Sequence, residues 1–162
     1  MTSVRDIMVI SVLLFAIGIT VYFSVDIGHQ VNTKLLLNPS LNSTPEAVQI
    51  INKADTAINM VDYIYLALFI GFFISLIFTG WYIGGDSIAA PIYLFIVVIF
   101  GFVSVILQNV WVEISVNDLV LDTVAALPIT NFILAHLGYF TVVMGLTGII
   151  AMFAKPKQEV GF

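Results

Sequence analysis

Four stretches of the chain contain no Asp, Glu, Lys or Arg: Ile7 to Val25, Tyr63 to Gly85, Ser87 to Val112 and Thr123 to Ala154. At about 1.5 Å per residue, each is long enough as a helix to cross a hydrocarbon core of about 30 Å. The pattern predicts an all-α integral membrane fold: a single four-span domain over residues 1–162, with spans at about 7–25, 62–84, 87–112 and 129–154 and outer loops at 26–61 and 113–128. The fourth window is too long for one perpendicular crossing, so its first part is expected at the interface, with Pro128 marking where the helix begins.

Between the windows the pattern changes. "DIGHQVNTKLLLNPSLNSTPEAVQ" mixes Pro39, Pro45, Asn and Ser and reads as irregular loop. From Pro45 a stripe of Val48, Ile51, Ala54, Ile58, Val61 and Tyr65 recurs near a 3.6-residue period. Ser43 or Thr44 can cap this helix, Pro45 suits its first position, and Glu46 favours the positive end of its dipole. No breaker separates the stripe from span two, so one helix is expected from about Pro45 to Ile83, second in the chain and extended outside the bilayer. Ile51 and Ile58 are its partner-facing positions, against the protein's own outer loops, an identical neighbour or a different protein.

"WYIGGDSIAAPIY" is expected to turn on Gly84 and Gly85, with Asp86 or Ser87 capping the next helix. "NVWVEISVNDLVLDTV" alternates Val110, Val112, Ile114 and Val116 with Trp111, Glu113, Ser115 and Asn117, which predicts a small β-hairpin centred on Asn117-Asp118. Small residues recur at helical spacing as Ala16, Thr20, Ser24, as Gly71, Ser75, Thr79 and as Thr141, Gly145, Gly148. In lipid such faces let helices approach closely, so the last two sets are the candidate packing surfaces.

Composition agrees: 60% hydrophobic residues, 9% charged and a mean hydropathy of +1.11 lie far from the soluble range. With four crossings in 162 residues, no extramembrane catalytic domain fits within this length. The N-terminal apolar run exceeds a signal-peptide core and lacks a small-x-small cleavage site, so it is expected to stay as the first span. Cysteine is absent, which removes disulfides and thiolate chemistry. A net charge of −5 argues against a nucleic-acid partner. Arg5, Lys155 and Lys157 flank the outermost spans, against Lys34 and Lys53 in the longer opposite loops, and this balance favours both termini inside.

Candidate chemistry is sparse. His136 is the one His within a span window, a candidate polar contact in the membrane. His29, His136 and Glu113 lack metal-ligand spacing. Glu113, Asp118 and Asp122 lack the arrangement of a calcium loop and read as a solvated turn. Asn42 to Thr44 forms a glycosylation sequon. No nucleophile triad, phosphate loop or zinc-protease motif occurs, so no cofactor, metal or catalytic residue is assigned, and the chain reads as a non-enzyme. The broken helices of a transporter and the polar stripe of a channel are not seen either.

The stretches "FTGWYIGGD", "LPITNFIL" and "MFAKP", with their spacing, resemble a group of small polytopic proteins of tailless icosahedral viruses that carry an internal lipid membrane; the similarity runs from about Asp62 to Pro156. The resemblance implies a structural virion membrane protein that organises the lipid vesicle and contacts the capsid or identical neighbours. It carries over no catalytic residues. The expected partners are the lipid bilayer and a homo-oligomer or other membrane or capsid proteins. The alternatives are an accessory subunit of a cellular membrane complex and a pore-forming, holin-like protein.

Overall fold

In lipid, a backbone N–H or C=O finds no water, and a helix is the one local structure that satisfies both within its own segment. Among the described residues each uncharged window is accordingly mostly helical. The computed structural model describes residues 2–83, 89–117 and 120–154. In chain order the helices are α1 (Thr2–Leu36), α2 (Pro39–Asn42), α3 (Pro45–Asn59), α4 (Val61–Ile83), α5 (Ala89–Ser115), α6 (Leu121–Ala126), α7 (Pro128–Ala135) and α8 (Leu137–Ala154). Four helical stretches, Val9–Leu36, Pro45–Trp81, Pro91–Ser115 and Leu137–Ala154, are long and apolar enough to cross a membrane, as a multi-pass protein requires.

Side-chain pairs fix how these helices run. Tyr65 donates to the Leu14 carbonyl at 2.9 Å, and Gly28 faces Ile58, so α1 and α4 with α3 are antiparallel. Gln108 meets Gly138, Ser104 meets Thr141 and Gly145 faces Val97, so α5 and α8 are antiparallel too. Asp62 meets Thr130 while Gly80 meets Gly148, a constant offset of 68 residues that makes α4 parallel to the α7–α8 helix pair. At the second of these contacts a Cβ on Gly80 would lie 2.6 Å from the Gly148 carbonyl oxygen. Only glycine permits that approach.

The interior holds aromatic rings and hydroxyls, whereas much of the aliphatic and phenylalanine surface faces outward. Tyr22, Tyr65, Tyr93 and Trp111 are buried, and Phe95, Phe102 and Phe153 are exposed. This is the order expected in lipid, where hydrogen bonds and close packing hold helices together. Thr141 Oγ1 lies 2.8 Å from Ser104 Oγ, 2.9 Å from the Leu137 carbonyl and 3.3 Å from Ser11 Oγ, tying α1, α5 and α8 at one level.

Three expectations are corrected. Residues 26–44 are not an irregular loop: α1 runs on to Leu36 and α2 starts at Pro39 under an Asn38 cap, and α3, from the expected Pro45, returns along α1, forming a helical hairpin. Gly28 is the only breaker in Asp26–Leu36, and it seats Ile58, whose Cδ1 would lie 2.7 Å from a Cβ there. The helix expected from Pro45 to Ile83 is two helices that meet at Met60, which itself keeps right-handed helical angles (φ −68°, ψ −16°). The β-hairpin is replaced by helix through Ser115, a turn at Val116 and Asn117, and α6. Trp111 packs inward there, and the helix meets its backbone bonds without a partner strand. Asp118, the Gly84-Gly85 turn with Asp86 and Ser87, and the tail with Lys155 and Lys157 lie outside the described residues.

Candidate functional site at the hairpin end

Helix α7 opens with Pro128, which has no N–H, after Leu127, whose side chain cannot accept a bond. The N–H groups of Ile129 and Thr130 therefore need an acceptor from elsewhere. Asp62, in the first turn of α4 and 3% exposed, supplies it. Its Oδ2 accepts from Ile129 N at 3.0 Å, and its Oδ1 accepts from Thr130 N and Thr130 Oγ1, each at 2.7 Å. One buried carboxylate thus serves the positive ends of two helices.

Around it, α1 packs on the connection between α5 and α7, and α5 bonds directly to α7. Asp26 on α1 accepts from Thr123 Oγ1 at 2.8 Å and from Gln30 at 2.9 Å. Tyr22 donates to the Val120 carbonyl at 2.8 Å. Trp111 Nε1 donates to Asn131 Oδ1 at 2.9 Å, and its ring meets Tyr22 edge-on at 5.3 Å. Further along the hairpin, Asp55 on α3 lies 2.8 Å from His29 Nδ1 and accepts from the Asn32 amide at 3.3 Å, both on α1. His29 Nε2 is buried with no hydrogen-bond partner.

A second local repair lies at His136, the single residue between α7 and α8. Its backbone N–H turns to the Ile133 carbonyl at 3.3 Å, which leaves the Phe132 carbonyl without its usual donor. His136 Nδ1 sits 2.9 Å from that carbonyl and supplies the missing bond, which places the ring proton on Nδ1. On the far side of the break, Gly138 N donates to Gln108 Oε1 at 3.1 Å. The kink is thereby satisfied on both sides by side chains.

The residues singled out from sequence fall in different places. Glu113 and Asp122 are exposed. His29 pairs with Asp55 while His136 sits at the kink, and among the described residues no group of three or more His, Cys, Asp and Glu could hold a metal. Thr141, Gly145 and Gly148 are buried against Ser104, Val97 and Tyr93. Gly71 and Ser75 are exposed, and nothing lies within 4 Å of a Cβ built on Gly71; Thr79 bonds back to the Ser75 carbonyl. The packing face of α4 holds Leu76 and Gly80 instead. Ile51 is buried and Ile58 half-buried, with Ile58 seated on Gly28 of α1, so these two positions face the chain itself.

Sequence reading missed Asp62, Asp26, Trp111 and Asn131. A signal for Asp62 exists: a helix opening Leu-Pro has no cap of its own, so an acceptor must come from another segment. With donors on both Asp62 oxygens and both Asp26 oxygens, the cluster is built to hold helices in position. The chain matches no family model, no curated protein and no solved structure.

Proposed function

We propose that this chain is a structural membrane protein whose α1–α3 hairpin stands outside the bilayer and docks on neighbouring proteins. One observation carries the reading. Ile27, Val31 and Leu35, four residues apart on α1, are 59%, 49% and 37% exposed, on a stretch whose other side pairs His29 and Asn32 with Asp55. Polar residues Asp26, Gln30 and Lys34 flank the stripe, which supports a position at or beyond the headgroups, where an exposed apolar row serves as a binding surface. At about 52 Å for 35 residues, α1 is long enough to cross and still project.

Four crossings put both termini on one face, and Arg5, Lys155 and Lys157 favour the inside for it. The resemblance over Asp62 to Pro156 gives the assembly its identity in this reading: a lipid vesicle beneath an icosahedral capsid, with the hairpin directed at the capsid or at identical neighbours. The test is Ile27→Asp with Val31→Asp, both on the exposed row, followed by purification of the particle or complex and quantitation of this chain. Loss of incorporation with retained helix content is expected. Normal incorporation refutes the docking role, and co-purifying chains of a cellular enzyme refute the virion assignment. Impermeant labelling of Ser115→Cys and Gln158→Cys from opposite sides is expected for the orientation.

A further inference from the structure

Helices α5 and α8 leave an open groove of about 580 Å³ on their outward face, from Val98 and Val143 to Gln108 and Gly138. Along α5 it extends ten residues, about 15 Å. The groove is lined mostly by apolar side chains and suits a polymethylene chain. It runs parallel to the two crossing helices, the direction in which acyl chains run.

Its lining is apolar except at one end. There Gln108 is held by its Oε1, which accepts from Gly138 N, so the orientation of the amide is fixed. Its Nε2 has no hydrogen-bond partner among the described residues, and an amide donor facing hydrocarbon is costly. Gln108 lies five residues, about 7 Å, below the exposed carboxylate of Glu113. Glu113 belongs to the headgroup layer, which is about 5–8 Å deep, so Gln108 sits at the boundary where acyl chains begin.

We infer that this groove is a lipid site that takes one acyl chain of an ester-linked glycerophospholipid, whose ester carbonyl accepts from Gln108 Nε2. The site is independent of what the hairpin binds. The purified full chain is mixed in mild detergent with palmitoyl-oleoyl-phosphatidylglycerol or its diether analogue, and retained lipid is counted by native mass spectrometry. The unaltered chain is expected to retain the diester over the diether by about fivefold, the effect of one hydrogen bond. Val98→Phe with Val143→Phe, which fills the groove, is expected to retain neither above background with helix content unchanged. Equal retention of the two lipids by the unaltered chain overturns the inference, as does undiminished retention by the filled variant. So does a protein dimer that filling the groove breaks. If the filled variant does not fold, the diester–diether comparison decides alone.

Discussion

Thr130 directs its backbone N–H and its Oγ1–H at a single oxygen of Asp62, 2.7 Å from each. Asp62→Ala would strand those donors and Ile129 N in a buried place, where each orphaned group costs about 1–3 kcal/mol. We expect a loss of about 3 kcal/mol, read by thermal unfolding of the helical signal in detergent. Asp62→Asn keeps one acceptor oxygen, and about 1 kcal/mol is expected. A loss below about 0.5 kcal/mol for the alanine variant would show that water replaces the carboxylate.

Glycines on the two faces of α4 should respond oppositely. Gly80→Ala forces a methyl against the Gly148 carbonyl oxygen, backbone against backbone, and overpacking of this kind costs about 1–3 kcal/mol. Gly71→Leu meets open space and raises helix propensity, so stability should stay within about 0.5 kcal/mol of the parent or rise. The same unfolding measurement separates them.

The kink offers a test of bond replacement. His136→Phe keeps a ring beside Phe132 but removes Nδ1, and about 1 kcal/mol should be lost with the Phe132 carbonyl orphaned. Gln108→Leu orphans Gly138 N–H at a similar cost. Because the two bonds support one kink two residues apart, the double variant should depart from additivity by about 0.5 kcal/mol or more. Amide exchange across residues 132–140 should quicken in each.

Acids at the hairpin end divide into two kinds. Glu113→Gln with Asp122→Asn should leave stability within about 0.5 kcal/mol, since both side chains are exposed. Asp26→Asn, which weakens the acceptor for Thr123 and Gln30, should cost about 1 kcal/mol. Urea or thermal unfolding of the two variants side by side checks this.

The four crossings were legible because an uncharged run of about 20 residues has few other destinies. The continuation of α1 was not, because its inward positions past Val25 are Gly28, His29 and Asn32, which resemble loop residues and pack on Ile58 and Asp55 of α3. Small-residue spacing named Gly71, Ser75 and Thr79, yet both lipid and protein interior are apolar, so spacing alone does not say which face of α4 is covered. The alternation around Trp111 mimicked a strand because β-branched residues are common in both settings. Asp62 escaped because an acid at the head of a span reads as solvated, while its role depends on a helix that begins 66 residues later.

The joint at Met60 also has a mechanical side. Since its backbone angles are helical, α3 and α4 are coupled end to end, and two residues beyond the joint Asp62 grips the start of α7. A load on the hairpin reaches α7 and α8 through the joint at Met60 and a charge-assisted clamp. There it meets His136, where bending is easiest because the helical ladder is already interrupted. Hairpin and kink are thus in series, and a push on the hairpin is converted into flexure at the head of α8.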